Sequence, residues 1–114
     1  MRGLALNLNM IDAGGVFVRE DTTAPLYRLW SIEDRYPAMV RATSGGGEIE
    51  IELWEVPDVG VLGILENEPP GLVLGRVKLV DGGEVLGILT EPYLIEGQSE
   101  ITGFGSWRKY IQRG

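Results

Sequence analysis

Glutamates near the ends of predicted elements are the residues best suited to acid–base chemistry. Glu66, Glu68 and Glu91 each adjoin an element boundary, and Glu68 and Glu91 both precede proline. A carboxylate that apolar neighbours desolvate can act as a general acid or base near neutral pH. For each of them we favour the competing interpretation, an exposed carboxylate before a turn.

Two missing residue types limit the chemistry further. The chain contains no histidine and no cysteine. Imidazole bases, Ser-His-Asp triads and histidine zinc sites are therefore excluded. Thiolate nucleophiles, disulfides and iron–sulfur clusters are excluded as well. Proton transfer here would use Asp, Glu, Lys, Tyr or water, and we predict neither a metal nor a cofactor.

Two further groups of charged residues are candidates for binding. Glu48, Glu50 and Glu52 alternate along one predicted strand, about 6.5 to 7 Å apart, which is too far for a single ion without a neighbouring strand. We interpret them as a solvated sheet face. Arg28 could bind a carboxylate through both arms of its guanidinium. An ion pair with one of the 17 acidic residues is at least as well supported.

Composition and charge indicate the kind of fold that positions these charged residues and the partners it disfavours. A chain of 114 residues has room for one core, so we predict a single domain over residues 1–114. Its net charge of -7 repels phosphate, which argues against nucleic acid and anionic membranes as partners. Glycine clusters separate runs rich in Val, Ile and Leu, a pattern typical of antiparallel strands joined by turns.

The periodicity predicts two hairpins and a terminal helix. Residues 38–43 and 48–54 are predicted to pair across Gly45–Gly47, and residues 72–80 and 84–89 to pair around Asp81-Gly82-Gly83. Ser106 is the predicted N-cap of a short helix that Trp107 docks. The remaining predictions are strands at 16–19 and 24–32, a turn at 33–37, and one or two helical turns between Leu6 and Ala13.

Several phrases resemble the carboxyl-terminal domain of allophanate hydrolase, in that domain's order and with roughly its spacing. They are GLALN, APLYRLW, IEIELWEVP, GILTEPYLIEG and ITGFGSWRKYI. The resemblance implies a γ-glutamylcyclotransferase-like α+β fold, a small mainly antiparallel β-barrel with short helices. It also implies a short helix over residues 61–65, where composition alone favours a strand. On that reading Val61, Leu62 and Leu65 face the sheet.

The resemblance also carries functional implications. In the parent enzymes this domain follows an amidase with a serine–lysine centre, and it is assigned both decarboxylation of the N-carboxycarbamate product and a part in assembly. The family's histidine falls on Leu8, and its first strand and glycine-containing loop would lie upstream of Met1. Both departures weaken the catalytic implication.

A pocket remains the expectation from this resemblance. The residues that match or adjoin family motif positions are Asn7, Arg28, Glu68, Pro70, Gly71 and Glu91. Glu68 and Glu91 are the catalytic candidates, while Asn7, Arg28, Pro70 and Gly71 are the ligand-binding candidates.

Three functional hypotheses follow. The leading one is a stand-alone module of urea and amide nitrogen metabolism that binds a small carboxylate or amide-type molecule, or assembles with an amidase protein, without strong catalysis. The second is an enzyme, either cyclotransferase-like or decarboxylating, with a glutamate base. The third is a purely structural dimerisation domain for an amidase. We also expect a cytoplasmic location, and a homodimer formed through an exposed sheet edge.

Overall fold

The structure, a computed structural model, describes residues 4–6, 14–67 and 70–113. Strands and short helices alternate along these residues. The strands are β1 Leu4–Leu6, β2 Val16–Thr22, β3 Tyr27–Ile32, β4 Tyr36–Arg41, β5 Glu50–Glu55, β6 Leu72–Lys78, β7 Glu84–Thr90 and β8 Ser99–Glu100. The helices are α1 Asp58–Asn67 and α2 Trp107–Ile111, with 3₁₀ turns at Pro92–Ile95 and Thr102–Phe104.

The strands form two sheets. The larger has the order β2-β5-β1-β7-β6, and the smaller has the order β4-β3-β8. β1 is antiparallel to β5 and parallel to β7, while the other pairs are antiparallel. An isolated bridge between Thr23 and Leu79 connects the chain beyond β2 with the chain beyond β6. The fold is therefore α+β and mostly antiparallel, as predicted, but the described strands do not close into the expected barrel.

The predicted hairpin across the triple glycine is wrong. β4 pairs with β3, whereas β5 pairs with β1 and β2 in the other sheet. The glycines carry the chain between the sheets. A Cβ on Gly46 would lie 2.7 Å from the carbonyl carbon of Leu26, and Gly47 exchanges backbone hydrogen bonds with Tyr27. Only glycine permits so close an approach to another backbone segment.

The second predicted hairpin, β6–β7, is confirmed. Gly75 and Gly87 face each other across it. A Cβ on Gly87 would lie 2.6 Å from Val77 Cγ2 and 3.0 Å from the carbonyl oxygen of Ala5, so this glycine lets the hairpin pack tightly on β1.

Two apolar clusters hold the fold together. The larger lies between the sheets and contains Ala5, Tyr27, Leu29, Met39, Ile49, Ile51, Leu53, Val77, Leu79, Ile101 and Tyr110. The smaller lies under α1 and contains Trp54, Val56, Val61, Ile64 and Ile88, with Leu65 and Leu72 packed against it. The alternation predicted for β5 is thus confirmed for Ile49, Ile51 and Leu53.

Helix α1 covers the stretch where composition favoured a strand, so the helix implied by the resemblance is confirmed. Val61 is buried and Leu65 is half-buried against the smaller cluster. Leu62 was expected to face the sheet but is 56% exposed. The reason is helical geometry, since Val61 and Leu65 share a face at a spacing of four residues and Leu62 is turned about 100° away from Val61.

The terminal helix α2 forms as predicted. The Ser106 hydroxyl accepts a hydrogen bond from the Lys109 N–H at 3.0 Å and caps the helix. Tyr110 is buried and Trp107 packs against the larger cluster. Among the residues that the structure describes, no helix is long and apolar enough to cross a membrane.

Other predicted boundaries need correction. Leu6 lies in strand β1, not in a helical turn, and the rest of that predicted turn lies outside the described residues. Pro37 belongs to strand β4, so the turn ends earlier than predicted. β1 occupies the centre of the larger sheet, whose edge strands are β2 and β6. The edges of this sheet are therefore β2 and β6, and those of the smaller sheet are β4 and β8.

Candidate functional site

The structure joins Gly71 and Glu91, two of the predicted site residues. The Glu91 N–H donates to the Gly71 carbonyl at 2.7 Å. Gly71 is buried, with φ +101°, and a Cβ there would lie 3.1 Å from Leu94 Cδ2 and 3.3 Å from Tyr93 Oη. A residue other than glycine would be strained here. The turn after α1 is therefore fixed directly on the 3₁₀ turn Pro92–Ile95.

The other candidates fall into two groups. Pro70 is exposed and precedes Gly71 in the turn, while the Glu91 side chain is also exposed, so solvent reaches this junction. Asn7 and Glu68 lie outside the described residues. The described part of the predicted site is thus Pro70, Gly71 and Glu91 at one place, and Arg28 in a cluster of its own.

Arg28 forms a two-pronged ion pair within the molecule. Its Nε donates to Glu100 Oε2 at 2.7 Å, and its Nη2 donates to Glu100 Oε1 at 2.5 Å. Thr102 Oγ1 also donates to Glu100 Oε2, at 2.8 Å. The guanidinium lies 5.4 Å from the ring centroid of Trp30. Glu100 thus holds the guanidinium in the way predicted for a ligand carboxylate.

The same contacts shift the ionisation of both partners. The hydrogen bonds from Arg28 lower the pKa of Glu100, and the bond from Thr102 adds to this effect. The hydrogen bonds to Glu100 raise the pKa of Arg28 above its usual value. Both groups therefore stay charged across the physiological pH range.

Two tyrosines were missed by sequence reasoning. Tyr93 Oη lies against Gly71, and the half-buried Tyr36 lies near Tyr93. Burial raises the pKa of Tyr36, and Glu33 and Tyr93 raise it further. Neither hydroxyl has a hydrogen-bond partner among the residues that the structure describes. A position next to proline in the phrases RYPA and EPYL was their only signal in the sequence.

A hydrogen-bonded cluster at the β3–β4 turn was also missed. Ser31 Oγ and Tyr110 Oη each donate to Asp34 Oδ1 at 2.6 Å. These two bonds lower the pKa of Asp34. Glu33 and Asp34 have positive φ angles of 52° and 58°, a costly conformation for residues other than glycine. Because Tyr110 belongs to α2, this cluster attaches α2 to the turn between β3 and β4 and has a structural role.

The predicted solvated face of β5 is partly covered by α2. Lys109 Nζ lies 2.7 Å from Glu50 Oε1, and Arg108 Nη2 lies 3.0 Å from Glu52 Oε2. Arg108 Nη1 also reaches Glu20 on β2 at 3.2 Å. Over the described residues, no group of three or more acidic side chains could hold a metal ion.

Comparisons with known proteins identify relatives over nearly the whole chain. Residues 1–112 match the family described as allophanate hydrolase C-terminal domain. Urea amidolyase of Saccharomyces cerevisiae is 24% identical over 119 residues, which cover 98% of this chain. The aligned segment is 6% of the yeast protein, so this chain corresponds to a small part of its curated relatives.

Solved structures share the fold. A protein described as specific to uropathogenic E. coli is 54% identical, with a TM-score of 0.85 over 100% of this chain and 90% of that one. Kluyveromyces lactis allophanate hydrolase is 22% identical, with a TM-score of 0.81 over 96% of this chain and 20% of that one. An uncharacterised protein from Pyrococcus horikoshii, 20% identical, has a TM-score of 0.68 over 95% of this chain and 91% of that one.

Proposed function

The chain belongs to the allophanate hydrolase C-terminal domain family, and from that premise we propose that it is a module of urea and amide nitrogen metabolism. It binds a small carboxylate or amide-type molecule, or assembles with an amidase, without strong catalysis of its own. The E. coli relative, aligned over 90% of its chain, supports the stand-alone arrangement. A cytoplasmic location belongs to the same proposal.

The observation that carries this proposal is the junction of Gly71 and Glu91. Two segments twenty residues apart in sequence meet through the 2.7 Å backbone hydrogen bond between Glu91 and Gly71. Because Gly71 has no side chain, Tyr93 and Leu94 can pack directly against the turn, where a Cβ would displace them. Backbone groups, the exposed residue Glu91 and the Tyr93 phenol adjoin this junction, and a few polar groups of this kind orient a small ligand.

The ionisation of two described carboxylates, Asp34 and Glu100, supports binding without strong catalysis at these residues. A general acid or base works best with a pKa near the operating pH. Hydrogen bonds shift the pKa of Asp34 and of Glu100 downward, away from neutrality. Histidine, whose ordinary pKa lies close to neutral, is absent from the chain.

A turnover assay tests the non-catalytic part of the proposal. The purified protein would be incubated with allophanate, with its hydrolysis product and with γ-glutamyl amines, while carbon dioxide, ammonia and oxoproline are followed. We expect no turnover above buffer. Turnover that is lost in Glu68→Gln or Glu91→Gln, with the melting temperature unchanged, would establish the enzyme hypothesis instead.

Exposed apolar side chains favour the assembly role as the second candidate. Val16, Phe17 and Val18 are exposed on edge strand β2, and Val59 and Leu62 are exposed on α1. Phe17 packs edge-to-face on Trp54 at 5.7 Å, and Trp54 belongs to the cluster under α1. Apolar surface of this kind is common where a second protein binds.

Sedimentation analysis tests this role. If an amidase or a second copy of this chain covers this surface, the double variant Phe17→Ser/Val59→Ser should no longer form the complex. Leu74→Ser, on the outer face of β6, is the control and should still form it. If the protein sediments as a monomer at all concentrations and binds none of the amidases tested, the assembly role is wrong.

A further inference from the structure

We infer that the hydroxyls of Tyr36 and Tyr93 bind the carbonyl oxygen of a neutral amide or ureido group, with Glu91 accepting hydrogen bonds from its N–H groups. This inference rests on the small-molecule site proposed at Gly71. It adds two binding residues to that site and selects the neutral members of the proposed ligand class over carboxylates.

The first step of the argument concerns the two hydroxyl groups. The structure gives neither of them a hydrogen-bond partner among the residues it describes. No buried polar atom of the partly or fully buried side chains in that part of the chain lacks a partner, so the Tyr36 hydroxyl is reached by solvent, and Tyr93 is itself 54% exposed. The other two tyrosines are engaged, because Tyr27 Oη accepts from the Lys78 N–H and Tyr110 Oη donates to Asp34. The unpaired phenols are therefore Tyr93, at the Gly71 turn, and its neighbour Tyr36.

The second step is their placement. A Cβ on Gly71 would lie 3.3 Å from Tyr93 Oη, so this hydroxyl is held at the turn. Tyr36 begins β4, and Tyr93 lies close enough to it to raise the pKa of the Tyr36 phenol. Glu91 is tied to Gly71 through its N–H. Tyr93 and Glu91 thus adjoin the same turn, and Tyr36 lies beside Tyr93.

The third step is charge. The pKa of Tyr36 is raised by burial, by Glu33 and by Tyr93, so its phenol stays protonated and able to donate at neutral pH. Glu33 and Glu91 each carry a negative charge and Arg35 carries one positive charge, so the formal charge of these three residues disfavours an anionic ligand. An amide or ureido group presents an acceptor oxygen to the phenols and N–H donors to the carboxylate, without net charge. The neutral group matches this set of donors and acceptors.

Backbone amide NMR titrations test the inference with N-methylurea and acetamide as neutral probes and acetate as the anionic probe. We expect saturable shifts from the neutral probes at Gly71, Glu91 and Tyr93, and at least threefold weaker binding of acetate at these residues. Tyr36→Phe and Tyr93→Phe should each weaken N-methylurea binding about 3- to 10-fold, as expected for the loss of one hydrogen bond. Tyr110→Phe is the matched control and should leave binding unchanged.

Four results would overturn the inference, and they separate it from the function it rests on. If acetate binds at Gly71 as well as N-methylurea does, or if the double variant Tyr36→Phe/Tyr93→Phe binds normally, the small-molecule site stands and the phenol assignment fails. If the probes shift residues around Arg28 instead, the site lies elsewhere and this inference fails. If no probe shifts any residue up to about 100 mM, the assignment and the small-molecule function both fail, and the assembly role is left.

Discussion

Tyr110 Oη donates a 2.6 Å hydrogen bond to Asp34 Oδ1, and this bond joins the terminal helix α2 to the turn between β3 and β4. The residues are 76 positions apart. Arg113 stacks over the Tyr110 ring, with 3.8 Å between its Cζ and the ring centroid, and so covers the same contact. The position of α2 therefore depends on a polar contact with the smaller sheet as well as on apolar packing.

Removing the Tyr110 hydroxyl should loosen α2 without unfolding the domain. In Tyr110→Phe the ring keeps its packing against Phe104 and Trp107, while Asp34 keeps its bond from Ser31. We expect the melting temperature to fall by about 3–6 °C, the usual effect of one lost hydrogen bond in a domain of this size. Calorimetry measures this value. An unchanged melting temperature would show that the contact contributes nothing.

The same contact predicts a change in stability at acid pH. Its hydrogen bonds lower the pKa of Asp34 in the folded state, below the value near 3.9 expected for an unfolded chain. The stabilisation is therefore complete above about pH 4 and is lost as the pH falls through the folded-state pKa. Asp34→Asn should flatten the loss of stability below pH 4. Urea unfolding at pH 2.5 to 6 measures the slope, and a variant that follows the wild-type curve would contradict this account.

Gly87 is predicted to tolerate no side chain. A Cβ there would lie 2.9 Å from Ala5 Cβ and 2.6 Å from Val77 Cγ2, inside the core between β1 and β6. We expect Gly87→Ala to destabilise the fold by about 1–3 kcal/mol through overpacking. Gly103→Ala is the control, because nothing lies within 4 Å of its added Cβ, and it should change stability by less than about 0.5 kcal/mol. Equal effects in urea unfolding would refute the close packing.

Helix α1 offers the same substitution on its two faces. Val61 is 3% exposed and packs in the cluster under the helix, whereas Val59 is 77% exposed. Val61→Ala should destabilise the domain by about 1–3 kcal/mol, from lost burial and the cavity left behind. Val59→Ala should be within about 0.5 kcal/mol of wild type. Similar losses at both positions would mean that the helix is oriented differently.

The sequence predicted which residues of a strand are buried better than it predicted which strands pair with each other. Alternation correctly assigned Ile49, Ile51 and Leu53 to the buried face of β5, because strand periodicity depends only on the strand itself. It could not identify the strand beside β5, since the glycines before it cross between sheets where a turn was expected. The crossing depends on the contact between Gly46 and the Leu26 backbone, which no local pattern reveals.

At the candidate site, too, the sequence indicated the residue types but not the tertiary contacts between them. Proximity of Gly71 to Glu91 was anticipated only because both matched family motifs, and their backbone hydrogen bond is a tertiary contact. Arg28 was recognised as a carboxylate binder, but sequence could not decide between a ligand and an internal acid. The choice of Glu100 follows from the pairing of β3 with β8, which sets Trp30 opposite Glu100.

That ion pair yields a prediction that separates the two roles of Arg28. If Arg28 binds a ligand carboxylate as proposed from the sequence, Glu100 occupies the place of that carboxylate. Glu100→Gln should then release the guanidinium and strengthen acetate binding at Arg28 several-fold, and Arg28→Lys in the same background should abolish the gain because an ammonium lacks the two-pronged geometry. Amide shifts around Arg28 report the binding. If Glu100→Gln lowers stability and acetate still causes no shift at Arg28, the arginine is purely structural.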